Sequence, residues 1–309
     1  MIGTGPLSDI LIPIGYGLVI WWASTGIVLY VIGLTGARSR ATLAGAAILL
    51  AGSLAAIAAV RQDVGFLGTY VAFTAAIGVW GAQEIAFLSG WITGPWRSEC
   101  PAGMRGWART GIAIQAIIHH EVALAASGLA VLACAAGGLN QVAPWTYGVL
   151  FAMRISAKLN VFLGVPNLTE NFLPAHLAYL KSFFGRAPMN LLFPLSVSLS
   201  TVTLLLLVQG IAGLDEVAAA PLVLLATLVA LGLLEHWFLV LPLPVEALWT
   251  WGLASRARRA EAEAASAGSD RLNGAKVIRL EPLVGSRLAA RPVSTGSRTE
   301  ARIAAVRTE

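Results

Sequence analysis

The chain has 309 residues, of which 57% are hydrophobic and only 12% are charged, and its formal net charge is +5. Soluble globular domains carry about 25% charged residues, so this composition excludes an ordinary soluble protein and indicates an integral membrane protein. Much of the basic excess lies in every second loop and in the tail. We therefore interpret it as a signal of membrane orientation rather than of nucleic-acid binding. The two cysteines, Cys100 and Cys134, are too few for a disulfide framework or a thiolate zinc site.

Apolar runs near the length of about 20 residues that crosses a bilayer recur seven times. They predict transmembrane helices at 11–33, 41–60, 66–90, 109–136, 144–166, 189–209 and 217–240. No basic segment precedes the first run and no small-residue cleavage site follows it, so we expect a retained helix rather than a signal peptide. The predicted fold class is all-α and polytopic, with residues 1–241 forming the transmembrane domain.

Basic residues fall in every second gap between these runs and predict the orientation of the chain. They are Arg38, Arg40, Arg97, Arg105, Arg109, Lys181, Arg186, Arg256, Arg258 and Arg259. The alternate gaps hold Arg61 together with Asp63, Asp215 and Glu216. By the positive-inside rule, we expect the N-terminus outside and the C-terminus in the cytoplasm.

The residues after the last run predict two further segments. Pro242 and Pro244 cannot continue a helix, so the chain is expected to bend there. Tryptophan and arginine residues then alternate, which predicts an amphipathic helix over 242–264 on the cytoplasmic membrane surface. Residues 265–309 are rich in Ser, Gly, Arg and Ala, which predicts a mostly disordered basic cytoplasmic tail.

The fourth apolar run contains His119, His120 and Glu121 in sequence. An ionised side chain at the centre of a membrane helix costs roughly 2.5 to 3.5 kcal/mol, so such residues usually face the protein interior and find partners there. Further polar residues are expected at similar depth or in the loop beneath: Glu84, Arg154, Lys158, Asn160, Glu170, His176, Glu235 and His236. Together they predict a polar centre in the cytoplasmic half of the bundle.

This set of residues allows four interpretations. The simplest is an ionic network in which Arg154 and Lys158 neutralise two carboxylates and join the helices. A second is an iron, zinc or manganese site. Its candidate ligands are Glu84, His120, Glu121, Glu170, His176, Glu235 and His236. Adjacent residues diverge by about 100° on a helix, however, so one helix face presents only one member of each His–Glu pair.

The third interpretation is a site for a bacteriochlorophyll-type tetrapyrrole or haem, because one imidazole in an apolar slot is a sufficient axial ligand. Its candidate cofactor-binding residues are His119, His120, Arg154, Lys158 and Asn160. The fourth is a proton relay in a transporter, although the chain shows no two equivalent halves. The adjacent Trp21 and Trp22 are predicted to serve packing, and Asn167 begins a glycosylation-like triplet in a predicted cytoplasmic loop.

Two stretches carry a resemblance to a known family. They are His119-His120-Glu121 and the segment from Lys158 to Leu180, which includes Asn167-Leu-Thr-Glu170-Asn. The chain resembles, over about residues 10–250, the PuhE-type photosynthetic complex assembly proteins of phototrophic bacteria. That resemblance implies a multi-pass protein of the inner membrane that is linked to the reaction-centre gene cluster.

The resemblance further implies an assembly factor for the bacterial photosynthetic reaction centre, or for bacteriochlorophyll supply to it. Its expected partners are the lipid bilayer and reaction-centre subunits or pigment-synthesis enzymes, with no nucleic acid. The alternative that the residues allow is an intramembrane metal-dependent oxidoreductase acting on a tetrapyrrole or isoprenoid substrate.

Overall fold

Seven long helices and three shorter helical segments make up most of the residues that the computed structural model describes, which are 8–168, 172–262 and 265. The long helices are α1 (Ser8–Thr35), α2 (Arg40–Ala59), α3 (Phe66–Leu88), α4 (Gly106–Ala135), α5 (Val142–Leu163), α6 (Leu192–Ile211) and α7 (Glu216–Phe238). Two 3₁₀ segments cover Ala175–Phe183 and Val245–Trp249, and residues 250–262 form a C-terminal helix.

Six of the long helices have the length and hydropathy of a membrane span. This confirms an all-helical, multi-pass membrane protein. Helix α5, which carries Arg154, Lys158 and Asn160, is not among the six. A count of seven spans and their orientation therefore stay predictions.

Helices α3 and α7 lie at the centre of the bundle. Helix α3 packs against α1, α2 and α5, whereas α7 packs against α1, α5 and α6. Phe73 and Val79 of α3 and Leu224 of α7 are completely buried between these neighbours. Small residues allow the close approaches, since Gly17 of α1 faces Thr227 and Gly232 of α7 faces Met153.

Short polar side chains cap the first turns of α2 and α7. Ser39 Oγ accepts the backbone N–H of Thr42 at the start of α2, and Asp215 does the same for Ala218 at the start of α7. Each therefore satisfies a backbone donor that has no partner within its helix.

Asn167, from the glycosylation-like triplet, holds the end of α7. Its side-chain amide donates to the carbonyls of Phe238, Leu241 and Leu243 at 2.8, 3.0 and 3.3 Å. These carbonyls surround the Pro242–Pro244 bend, where the two prolines supply no backbone N–H donor. Asn167 thus serves as an internal cap for the bend.

The loop between α3 and α4 enters the bundle and contacts the backbone of α4. The Thr93 carbonyl accepts the N–H groups of His119 and His120 at 3.0 and 3.3 Å. Thr93 and Gly94 are both buried, and a Cβ atom at Gly94 would overlap the Gln115 carbonyl oxygen. Only a glycine allows this approach of loop to helix.

The segment that follows α7 packs along the second half of α1. Trp249 Nε1 donates to the Trp22 carbonyl at 2.9 Å, and Ser255 Oγ donates to the Tyr30 carbonyl at 3.1 Å. The chain through Glu261 is one compact unit, so the bundle extends beyond the predicted domain boundary at 241. That residues 242–264 lie on the membrane surface stays a prediction, and the predicted tail lies outside the described residues apart from residue 265.

The loops at which α1, α3, α5 and α7 end share one side of the bundle, which we call the basic face and define by Arg38, Arg97, Arg109 and Arg256. Arg38 contacts the loop that follows α3, since its backbone N–H donates to the Ser89 carbonyl at 2.7 Å. Arg109 donates to the Phe183 carbonyl at 2.7 Å. These contacts bring basic residues from the first two of the basic gaps against the segments that follow α3 and α5.

Replacing Gly94 with Ala should destabilise the protein by about 1–3 kcal/mol, because the added methyl group overpacks the contact between loop and helix. The measurement is the midpoint of thermal unfolding in detergent. Gly111→Ala is the matched control, because Gly111 lies in α4 with open space where an added Cβ atom would lie. A Gly94→Ala midpoint at or above the control value would contradict the close contact.

Reporter fusions after Glu216 and after Arg259 should lie on opposite sides of the membrane, since α7 separates the two sites. The positive-inside rule places the Arg259 fusion in the cytoplasm. A fusion after Asp63 should behave as the Glu216 fusion does. Finding all three reporters on one side would show that the span assignment is wrong.

Candidate functional site

A charged cluster lies between α3, α4 and α5, about one turn from the end of α3. Glu84 Oε2 is 3.5 Å from a terminal guanidinium nitrogen of Arg154, and Glu84 Oε1 is 3.9 Å from His120 Nε2. Glu84 is nearly buried, whereas 43% of the Arg154 side chain is exposed. The structure therefore brings together three of the predicted site residues from three different helices.

Glu121 and Lys158 form the second ion pair of the cluster. Lys158 Nζ donates to Glu121 Oε1 at 2.6 Å, which links α4 to α5, and both side chains are partly exposed. Arg154 and Lys158 lie four residues apart on one face of α5, as their spacing predicts. Helix α5 thus supplies both cations, and α3 and α4 supply their carboxylate partners.

Glu235 of α7 completes the cluster through a contact with α1. Trp21 Nε1 donates to Glu235 Oε1 at 3.0 Å, and Arg154 interacts electrostatically with the same carboxylate. Trp21 is a site residue that sequence reasoning missed, because it was assigned to packing. The available signal was an indole donor inside an apolar run, where its N–H needs an acceptor.

His120 is completely buried and lacks a hydrogen-bond partner on either ring nitrogen within the described residues. Its ring stacks on Phe87 with centroids 4.3 Å apart. Glu84 Oε1, which faces the imidazole, also has no hydrogen-bond partner there. Buried polar atoms without partners carry a substantial free-energy cost, so an ion or a water molecule shared by His120 Nε2 and Glu84 Oε1 would stabilise both groups.

His236 and Asn160 belong to a separate polar network on the side of α5 that faces α6 and α7. His236 Nε2 is 2.8 Å from Ser156 Oγ, and His236 Nδ1 is 2.8 Å from the Gly232 carbonyl oxygen. The Asn160 amide donates to Ser196 Oγ at 3.1 Å. Hydroxyl and amide groups that hydrogen-bond across helices are typical of membrane-helix association.

The remaining predicted site residues lie elsewhere. His119 is exposed on α4. His176 lies beside Gly90 on the basic face, where burial lowers the pKa of its imidazole, while a hydrogen bond to the Leu88 carbonyl opposes that shift. Glu170 lies outside the described residues.

The candidate metal ligands are thus spread over several regions. Among the described residues, no group of three or more His, Cys, Asp or Glu side chains is placed to hold a metal ion. Of the candidate ligands, His120 and Glu84 are the two whose donor atoms face each other, with His120 Nε2 3.9 Å from Glu84 Oε1. What the site offers chemically is a set of ion pairs, in which three carboxylates (Glu84, Glu121, Glu235) face two cations (Arg154, Lys158).

Comparison with known proteins gives the family of the chain. A family model described as "Protein of unknown function (DUF3623)" matches residues 7–260. A Rhodobacter capsulatus protein described as an uncharacterized 30.4 kDa protein in the puhA 5' region is 40% identical over 243 residues, which cover 77% of this chain and 89% of that protein. No solved structure matches the chain significantly. The chain therefore belongs to the DUF3623 family, and the relative from the puhA region agrees with its resemblance to the PuhE-type proteins.

Proposed function

We propose that the protein is an assembly factor of the inner membrane, with a cytoplasmic C-terminus, that serves the bacterial photosynthetic reaction centre or its supply of bacteriochlorophyll. The R. capsulatus relative, which is described as a protein from the puhA 5' region, supports a role connected with photosynthesis. The proposal also follows the PuhE-type resemblance of the segment from Lys158 to Leu180.

The structural observation that carries the proposal is the mutual pairing of the charges within the helices. Glu84, Glu121 and Glu235 each contact a cation or an indole donor from another helix. Such pairs fix the relative positions of helices in a low-dielectric layer. A bundle whose helices are joined by ion pairs, with some of the charges partly exposed, suits a protein that binds and positions a membrane partner.

A strain that lacks the gene should contain fewer reaction centres but accumulate no new pigment intermediate. Glu235→Gln should restore most of the reaction-centre content, because the amide oxygen still accepts the Trp21 indole N–H. The measurements are the reaction-centre absorption of membranes and chromatography of extracted pigments. A defined intermediate that persists in the Glu235→Gln strain would indicate catalysis instead of assembly.

A second candidate is an intramembrane metal-dependent oxidoreductase acting on a tetrapyrrole or isoprenoid substrate. The observation that favours it is the gap between His120 Nε2 and Glu84 Oε1, whose donor atoms lack partners within the described residues. Imidazole and carboxylate ligands suit iron, zinc or manganese, and the remaining ligands would come from water or substrate.

Elemental analysis and an absorption spectrum of the purified protein test this second candidate. If it is correct, near-stoichiometric metal should be present in the wild type and lost in His120→Ala, because a main ligand is removed. The matched control is His236→Ala, which removes an equally buried imidazole from the other network and should keep the metal. Equal metal content in all three proteins, or none, would remove the support for this candidate.

A further inference from the structure

An apolar groove opens on the side of the bundle that lies away from the basic face. The first half of α1, the second half of α2 and the first part of α3 form this groove, and its volume is about 610 Å³. Helices α1 and α3 end at the basic face and α2 begins there, so these parts of the helices lie towards the opposite membrane surface. The volume falls within the range of about 300 to 1,000 Å³ that is typical of small-molecule sites.

The residues that line the groove are uncharged, and the groove reaches deep into the membrane. No charged side chain is among its lining residues in the described part of the chain. Thr74 lies eight residues beyond the start of α3, which corresponds to about 12 Å along the helix, and Ser53 lies about 9 Å before the end of α2. The charged headgroups of phospholipids and their ester linkages lie in the interfacial regions, outside a hydrocarbon core about 30 Å thick. A molecule held at Thr74 and Ser53 is therefore neutral and soluble in hydrocarbon.

Four hydroxyl groups nevertheless line this groove, and they belong to Tyr16, Ser53, Tyr70 and Thr74. Tyr16 Oη and Thr74 Oγ1 lie 2.5 Å apart and share one hydrogen bond, which uses only one of their two hydroxyl hydrogens. The second hydrogen of this pair and the Ser53 hydroxyl hydrogen have no acceptor among the residues that the structure describes. Tyr70 adds a third donor nearer the membrane surface. Water is not available as an acceptor within the hydrocarbon core, so the groove presents donors that need acceptors.

Other hydroxyl groups in the membrane helices are satisfied within their own helix. Thr201 and Thr203 of α6 and Thr227 of α7 each donate to the carbonyl oxygen four residues earlier, at 2.8 to 2.9 Å. Thr74 turns towards Tyr16 instead, and Ser53 Oγ lies over Gly78, where a Cβ atom would overlap it. Because a hydroxyl without an acceptor in hydrocarbon costs free energy, this difference indicates a ligand that supplies acceptors.

The positions of the donors indicate the shape of that ligand. Ser53 donates from α2, whereas the Tyr16–Thr74 pair joins α1 to α3, so the donors belong to different walls of the groove. The rings of Tyr16 and Tyr70 pack edge to face, with centroids 4.6 Å apart, and give one wall an aromatic surface. A flat ring with carbonyl oxygens on opposite edges would meet donors on both walls. Leu67, which is 73% exposed at the rim, leaves an apolar exit towards lipid.

We infer that the groove binds a lipid-soluble quinone. One carbonyl oxygen of the quinone accepts a hydrogen bond from the Tyr16–Thr74 pair, the other accepts from Ser53, and the isoprenoid chain leaves over Leu67. This site goes beyond the proposed function and does not depend on it. It is also separate from the charged cluster, since Glu84 lies ten residues beyond Thr74, about 15 Å further along α3.

The first test is photolabelling of the purified full-length protein in detergent with an azido derivative of ubiquinone. Mass spectrometry should find the label within residues 48–56 or 67–78, and an excess of decylubiquinone should prevent the labelling. Decylbenzene keeps a ring and the same chain but has no carbonyl oxygen. It should compete about tenfold less well, because two neutral hydrogen bonds are lost.

A pair of glycine substitutions tests the location of the site. A Cβ atom at Gly45 or at Gly52 meets open space, and the two residues lie two turns apart on the same face of α2. Only Gly52 lines the groove. Gly52→Leu should therefore fill the groove and remove most of the labelling, whereas Gly45→Leu should keep it. The thermal unfolding midpoints of both variants are compared with that of the wild type.

The hydrogen bonds are tested by combining Tyr16→Phe, Ser53→Ala and Thr74→Val in one protein. The apparent Kd of decylubiquinone, measured by competition, should rise about tenfold, while that of decylbenzene should stay the same. A general folding defect would weaken both ligands. Thr203→Val is the control, because it removes a threonine hydroxyl from α6 and should change neither affinity.

Several results would overturn the inference. They are labels spread over the lipid-facing helices, equal labelling of the Gly45→Leu and Gly52→Leu proteins, and an unchanged decylubiquinone affinity in the triple variant. Equal competition by decylbenzene and decylubiquinone would also overturn it, because the groove would then be a site for hydrocarbon chains alone.

Discussion

The arrangement of the bundle depends on neutralising charges inside an apolar layer. Glu84, Glu121 and Glu235 lie on three different helices, and both cations that face them are on α5. Because an unpaired ion at this depth is costly, the helices that carry the acids must gather around α5. This explains why the helix without the hydropathy of a membrane span nevertheless packs against α3, α4 and α7.

A second constraint acts on the backbone and determines where His120 lies. The loop carbonyl of Thr93 contacts the N–H groups of His119 and His120, and the missing side chain of Gly94 permits this contact. The imidazole is then held between Phe87 and Glu84. The position of the buried histidine therefore depends on a loop as well as on its own helix.

The apolar runs located the long helices, although α5 falls short of the hydropathy of a membrane span, and the i,i+4 spacing of Arg154 and Lys158 was sufficient to predict a shared face on α5. Helix geometry also predicted that adjacent side chains point in different directions. In the structure Glu235 contacts Trp21, whereas His236 contacts Ser156. The sequence pattern did not predict the contacts that depend on the paths of the loops.

The loop contacts show why. Nothing in the spacing of residues brings Thr93 to α4 or places His176 beside Gly90. Periodicity within a helix determines which residues share a face, but the packing of distant segments decides which faces meet. The same limit applies to Trp21, because its acceptor lies 214 residues away.

The contact between α1 and the end of the chain has a consequence for biogenesis. Trp22 and Tyr30 of α1 leave the ribosome more than two hundred residues before Trp249 and Ser255, to which they hydrogen-bond. Until then the second half of α1 lacks one of the neighbours that cover it, although Val28 and Ile32 can already pack against α3. This part of the bundle therefore closes only after residues 245–255 have been made, and nascent chains that stop before Val245 leave that surface of α1 open to the insertion machinery and to chaperones.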